Sequence, residues 1–346
     1  MTDPLLLETA ERVLSDTCTH EAIQTAEREG WAPAVWGRVA EVGLPWIGME
    51  EGGSLEDALA VLRVAGRHAA PIPLAETGLL AGWLLAESGL PVGQGPLTVV
   101  PGRPEDTVRI VGDRLSGIAH RVPWARVAEW VVALVETAEG WMVAAVRHAD
   151  LAVQAQANLA GEPRDTVTFD GRSRVAPAPA RIDLTALRYR GALTRVMLMA
   201  GALEQMSRMT IHYTNERVQF GRPVARFQAV QQHLVLGAQD AALVGIAADA
   251  AARAATSGLA RFEIAAAKLL ANRAAQSATR AAHQAHGAMG MTQEYGLHHL
   301  SRRLWAWRSE YGDDRFWSGT LGGAVARAGA EQLYPAITSG SAVVEL

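Results

Sequence analysis

Two long helical patterns meet across the tripeptide Gly221-Arg222-Pro223, and that break constrains the chain more than any other feature of it. Upstream, Leu193, Met197, Ala200, Leu203, Ser207 and Thr210-Ile211 recur at spacings of three and four, as one stripe of an α-helix. Downstream, Val230, Leu234, Gly237, Ala241 and Val244 do the same. Proline has no N–H to give and a fixed φ, so neither helix runs through the break. The first helix therefore delivers Arg217, Gln219 and Phe220 into the connection. A guanidinium, an amide and an aromatic ring in one loop suit a diphosphate and a flat ring system. The residues alone allow a second reading, a helix hairpin with a charged tip.

The run R-V-Q-F-G-R-P-V (Arg217 to Val224), with F-Q-A-V-Q behind it, resembles the helix-turn-helix signature of the acyl-CoA dehydrogenase family. In that family the matching Arg and Gln reach the FAD of a neighbouring subunit. A second run, Q-A-H-G-A-M-G-M-T-Q-E-Y (Gln284 to Tyr295), resembles the family's Q-x-x-G-G-x-G-x-x-x-E-Y segment, with Ala288 in place of its second glycine. A glycine break between helices lets backbone approach a diphosphate closely, although alone it is equally a helix-ending turn. The resemblance implies FAD contacts from Arg217, Gln219, Phe220, Gln228, Gln284, Gly287 and Gly290. Weaker matches lie at Gly43–Ser54, a turn-rich loop by its glycines, and at A-P-I-P-L-A-E-T (Ala70 to Thr77).

Taken in order, residues 1–95 read as helices, with stripes at Leu6, Ala10, Val13 and Leu14, at Trp36, Val39 and Ala40, at Leu59, Leu62, Val64 and Ala65, and at Leu79, Leu80, Trp83 and Leu84. Residues 96–182 change texture. Short β-like runs at Thr107–Val111, Trp130–Val135, Trp141–Val146 and Thr166–Phe169 alternate with turn signals, the pattern of a small antiparallel sheet or barrel. V-A-P-A-P-A-R closes that segment as a linker. Residues 183–346 are helical again, with helices expected at Arg261–His286, Gln293–Tyr311 and Asp314 to about Leu333. The expected fold is mainly α: an N-terminal helical domain, a small antiparallel β middle domain and a C-terminal helical bundle. That is the domain order of the acyl-CoA dehydrogenase fold.

At 346 residues the chain can bury a sizeable core. A net charge of -4 and no Lys/Arg block leave no electrostatic case for nucleic acid. One cysteine, Cys18, makes no internal disulfide, in keeping with a reducing cytoplasm. The start lacks a basic n-region and no long uncharged apolar run stands out, so a cytoplasmic protein without a membrane span is expected. His283, His286, His298 and His299 lack a cysteine or carboxylate set, so no metal site is expected, and no G-x-S-x-G elbow supports a hydrolase.

The resemblance implies α,β-dehydrogenation of an acyl-CoA: a carboxylate removes the α-proton and the β-hydride goes to flavin N5. So weak a carbon acid needs a desolvated base and donors on the carbonyl oxygen. Both positions that hold the family's base are occupied otherwise, by Tyr311 and by Gly191. A tyrosine, with a reference pKa of about 10, is a poor base near neutrality. Three readings stay open: Glu310 or Asp313 takes over through a local shift, a partner subunit supplies the base, or the chain does no dehydrogenation. The bland reading of Glu310, Asp313 and Asp314 is an acidic helix terminus, with Asp314 as a cap.

The family's T-E-P-x-x-G-S-D loop and W-I-T-N strand are missing; Pro101–Val111 and Arg121-Val122-Pro123-Trp124 stand roughly in their places. Trp124 is read as a packing tryptophan, with contact to a ring system the alternative. Short members without these loops resemble subunits of mixed assemblies in which two unlike chains share a flavin site. The implied partners are therefore an acyl-CoA, an electron-transfer flavoprotein as electron acceptor, and a homo- or heteromeric dimer of dimers in fatty acid or sterol degradation. Arg302 matches a family arginine, whereas Arg303 is read as a surface residue. Met197, Met199, Met206 and Met209 are read mostly as helix core.

Overall fold

A computed structural model describes residues 3–49 and 53–339. The Glu50–Gly52 part of the Gly43–Ser54 match lies outside the described residues. The chain divides into two compact units, Met1–Ala65 with Ala69–Thr194, and Gly66–His68 with Arg195–Leu346.

The first unit opens with α1 (Pro4–Thr17), α2 (His20–Glu29), α3 (Pro33–Glu41) and α4 (Leu55–Arg67). Their starts are written in the sequence: Asp3 accepts from Leu5 N ahead of Pro4, and Thr19 accepts from Ala22 N. Ser54 and Asp57 cap α4 reciprocally. Gly30, at φ 95°, ends α2 in the left-handed conformation that glycine allows. The apolar stripes face inward as expected, with Ala10, Leu14, Val39, Leu59 and Leu62 all buried. The fourth stripe is not an α-helix. Ala75–Gly82 forms a fully buried π-helix that tightens to α only at α5 (Trp83–Glu87). A side chain on Gly78 would overlap the Pro45 carbonyl, so the wide turn sits where backbone packs on backbone.

Two four-stranded sheets follow. One has the order β1 (Leu97–Val99), β4 (Trp130–Thr137), β5 (Gly140–Arg147), β8 (Ala178–Pro179). The other has the order β2 (Arg109–Val111), β3 (Arg114–Pro123), β7 (Arg164–Arg174), β6 (Ala152–Gln154). All pairs are antiparallel except β1–β4, a departure from the antiparallel expectation. Leu115, Val131, Ala133, Ala144, Val167 and Phe169 close the core of this β portion. Trp124 is 3% exposed, so it packs as the bland reading had it. Part of the proposed linker pairs with β5 as β8.

The second unit is a helical bundle. α6 (Leu184–Glu216) begins in the first unit and continues into it, followed by a ribbon of β9 (Val218–Gln219) and β10 (Arg222–Pro223). Then come α7 (Gln228–Ala255), α8 (Arg261–His286), a 3-10 turn at Gly287–Met291, α9 (Leu297–Trp307), α10 (Asp314–Ala328) and α11 (Leu333–Ser339). Met197, Met199 and Met206 are core, as read. Arg303 corrects its reading: it is fully buried and donates to the His299 carbonyl at 3.1 Å, because it shares the face of α9 that buries Leu300, Leu304 and Trp307. α7 has the length and apolar composition of a membrane span, interrupted by Asp240 and Asp249, and most of its apolar window is not buried within the chain.

Candidate functional site

The break at residues 221–223 is a β-ribbon rather than an open loop. Gln219 pairs with Arg222 and Val218 with Pro223, and Val224 N closes on the Arg217 carbonyl at 2.8 Å. The two turn residues, Phe220 (φ 51°) and Gly221 (φ 77°), are both left-handed, as a two-residue hairpin requires. Glycine accepts that conformation freely; a phenylalanine does not. Phe220 nevertheless holds it while 92% exposed, its ring set nearly perpendicular to that of Phe227 with centroids 6.1 Å apart. Phe227 in turn carries the Arg222 guanidinium on its face at 4.2 Å. Arg217, Gln219 and Gln228 are exposed, and no intramolecular hydrogen bond of their side chains is recorded among the described residues.

The second glycine segment lies beside the ribbon. Tyr213, one helical turn ahead of Arg217, stacks on His286, the residue before Gly287, with ring centroids 4.6 Å apart and planes at 21°. Tyr295 closes the cluster at 5.0 Å from His286 and 5.6 Å from Tyr213, its hydroxyl donating to Met209 O at 3.4 Å. His286 Nδ1 faces the Ala282 carbonyl at 2.8 Å, and burial pushes the imidazole below its ordinary range. Gln284 and Gly287 are exposed, and nothing fills the space where a Gly287 side chain would stand. Gly290 is buried, where a Cβ would come 2.9 Å from His286 Cβ. The seven expected cofactor residues are thus brought to one end of the bundle, by an aromatic cluster whose His286 the sequence reading had set aside.

The acids stand elsewhere, in the turn from α9 to α10. Glu310 accepts from Arg195 Nε at 2.6 Å; Arg195 is 1% exposed and the Glu310 side chain 18%. Asp313 accepts from Phe316 N at 2.8 Å and is the N-cap of α10, the role expected of Asp314. Asp314 instead pairs with Arg308 at 3.0 Å. Tyr311 is left-handed at φ 53°, with the Arg195 guanidinium 5.4 Å from its ring centre. Gly191 is buried within α6. Beneath the turn lies Lys268, fully buried, its Nζ 2.6 Å from Asn272 Oδ1 and 3.2 Å from the carbonyls of Trp307, Arg308 and Gly312. Burial pushes this amine down to about 7, with Glu310 pulling it back up. Sequence reasoning missed Lys268, although a signal existed: it is the sole lysine among 32 basic residues.

Both α6 and α8 link the two places. Arg195 and Tyr213 on α6, like Lys268 and His286 on α8, stand five helical turns apart, about 27 Å of helix axis. One chain's ribbon and acid turn are therefore well separated along the same two helices.

Residues 185–314 match the family model for the acyl-CoA dehydrogenase C-terminal domain. The chain is 27% identical over 238 residues to the acyl-CoA dehydrogenase FadE27 of Mycobacterium tuberculosis, covering 62% of this chain and 63% of that one. This match spans under two thirds of the relative's length. The acyl-CoA dehydrogenase IpdE2 of the same organism is 26% identical over 326 residues, 86% of this chain and 89% of the relative. Among solved structures, the ChsE4–ChsE5 complex from Mycobacterium tuberculosis superposes with a TM-score of 0.85 at 23% identity, covering 94% of this chain and 98% of that one.

Proposed function

The chain being acyl-CoA dehydrogenase-like in its C-terminal domain and in its fold, we propose that it serves FAD-dependent α,β-dehydrogenation of an acyl-CoA thioester, at sites assembled from two chains. The exposed ribbon carries the proposal. Arg217, Gln219 and Phe220 present a guanidinium, an amide and a ring outward, and Gln228, Gln284, Gly287 and Gly290 gather on the same end. Such a surface fits a dinucleotide held largely by another subunit: charge-assisted bonds for a diphosphate, open backbone at Gly287 and an aromatic face. When bound, FAD supplies the acceptor for the β-hydride, and its electrons leave to an electron-transfer flavoprotein.

A site shared by two chains suits this geometry, because the ribbon that would hold the dinucleotide and the acid turn that would face the substrate are separated on one chain by about 27 Å of helix. The exposed apolar side of α7, with Val235, Leu243 and Ile246 more than half exposed, supplies a surface for such an assembly. In this reading Glu310 is the α-proton acceptor, with Asp313 the lesser candidate, and the acyl-CoA lies against the acid turn. The assembly is a dimer of dimers.

A second reading has a specific observation behind it. Glu310 is bonded to a buried arginine and Asp313 caps a helix, so both acids have structural work. A chain of this kind could complete the flavin and acyl-CoA site of an unlike subunit that brings the base, and a relative of the same fold is described as a ChsE4–ChsE5 complex. The visible spectrum of the chain purified alone, with its flavin-to-protein ratio, separates the two. A full yellow complement with turnover of an acyl-CoA supports the first reading. A colourless chain that gains flavin only with a co-expressed partner supports the second. Turnover of an acyl-CoA with no electron acceptor and no flavin sinks both.

A further inference from the structure

We propose that Lys268 is a positioning residue, a compact amine that ties both ends of the Arg308–Asp313 turn and so fixes where Glu310 and Tyr311 stand. The turn cannot hold itself. Tyr311 and Gly312 are consecutive left-handed residues, at φ 53° and 111°, and a tyrosine adopts that conformation only when its surroundings impose it. A side chain on Gly312 would overlap the Trp317 indole nitrogen, so the chain is also pressed from the α10 side.

Lys268 supplies the constraint. Its Nζ meets the carbonyls of Trp307 and Arg308 where α9 ends, the Gly312 carbonyl where the turn ends, and Asn272 Oδ1 one helical turn along α8. Asn272 Nδ2 adds a bond to the same Gly312 oxygen at 3.4 Å. In its ammonium form the group sets three protons against four oxygens, and four carbonyl and amide oxygens with the dipole of a helix C-terminus favour that form against the burial that opposes it. The charged groups around it come from every neighbouring element: Arg195 on α6, Arg308 and Glu310 from the end of α9 and its turn, and Asp314 on α10. Glu310 is thereby set between Arg195 on one side and a lysine-held backbone on the other.

The residue type is informative within this chain alone. Thirty-one of the 32 basic residues are arginine, and the one lysine occupies this site. A planar guanidinium cannot converge on four oxygens disposed around a point, whereas an ammonium can.

The role does not depend on Glu310 being the base; only its kinetic consequence rests on the proposed dehydrogenation. The exchange and labelling tests use the full chain as purified, whether or not it carries flavin. Amide hydrogen exchange is followed in peptides covering residues 307–314, in α7 and in the β sheets, for the native chain, Lys268→Met, Lys268→Arg and Asn272→Ala. Exchange in 307–314 should rise at least tenfold in Lys268→Met and Lys268→Arg and by a smaller factor in Asn272→Ala, with α7 and the sheets unchanged. In the native chain an amine-reactive ester should modify the N-terminus and leave Lys268 intact, and Asn272→Ala should make Lys268 reactive. Unchanged exchange at 307–314 in Asn272→Ala and either lysine variant overturns the proposal, as does full protection in Lys268→Arg. A Lys268 modified in the native chain overturns it too. Where the assembly turns over an acyl-CoA, Lys268→Met should cut kcat at least tenfold with KM within twofold. Local loosening without loss of kcat leaves Lys268 as the tie and removes the acid turn from the chemistry.

Discussion

Tyr213 and His286 lie nearly parallel, 4.6 Å between ring centres, and this stack is what brings the end of α6 to the end of α8. The chain leaves α6 three residues after Tyr213 to form the Arg217 ribbon, and it leaves α8 directly after His286 to form the Gly287 turn. One aromatic contact thus unites two segments that are far apart in sequence.

The stack makes the bundle sensitive to acid. Burial lowers the His286 pKa, and that of His283, below the ordinary imidazole range. The unfolded chain therefore binds protons that the folded chain refuses, and stability is lost as pH falls from about 6.5 toward the folded-state values. Tm should fall between pH 7.5 and 5.5 in the native chain and fall less in His286→Phe, which keeps a stacked ring without a titrating group. An equal fall in both proteins would place the acid sensitivity elsewhere.

Arg217 tests the cofactor surface. Its side chain is exposed, so Arg217→Ala should change stability by no more than about 0.5 kcal/mol. Flavin retained per chain after gel filtration should drop at least tenfold, and Arg217→Lys should recover only part of it, because an ammonium cannot grip two oxygens at once. Undiminished flavin in Arg217→Ala would remove the ribbon from the cofactor site.

Much of this was legible in the residues, and the failures share a cause. The Arg261–His286 helix reads to the residue, because an alanine-rich apolar pattern runs up to Gly287. β3 went unread because Gly117, Pro123 and a bulge at Arg121 (φ 54°) interrupt the alternation that marks a strand. The π-helix at Ala75–Gly82 carries the same apolar spacing as an α-helix, and only the backbone of Pro45 against Gly78 distinguishes it. At the site, the ribbon residues carry a local signature, whereas the commitment of Glu310 to Arg195 is a contact between distant segments. Local pattern declares elements and motifs; it is silent on which side chains are already spent on one another.

Glu310 separates the two functional readings. In Glu310→Gln the buried Arg195 loses the charge of Glu310 beside it, which should cost about 2–3 kcal/mol, less than a fully enclosed pair because the glutamate is part exposed. If Glu310 takes the α-proton, kcat should also fall by about 10²–10⁴-fold. In a partner subunit the same variant should melt earlier while the assembly keeps its kcat. Thermal melts and steady-state kinetics on one preparation decide between them, and Arg195→Met, which melts early without removing a carboxylate, controls for damage to the fold.

The side of α7 turned away from the bundle supplies the last prediction. Val235, Leu243 and Ile246 are 54%, 53% and 68% exposed, and they recur at helical spacing along one face. An apolar face of this kind, interrupted only by Gln239, suits cover by another chain in water. If what covers it is a second dehydrogenase-like chain, the same contact should be needed to bring a ribbon to a foreign acid turn. Leu243→Glu with Ile246→Glu places two charges in that stripe without touching a core residue. The double variant should elute as a smaller species while its circular dichroism stays native, and it should lose flavin as Arg217→Ala does, though all ribbon residues are present. Loss of assembly with full flavin retention would mean that one chain suffices for the cofactor, and the two-chain site would have to be abandoned.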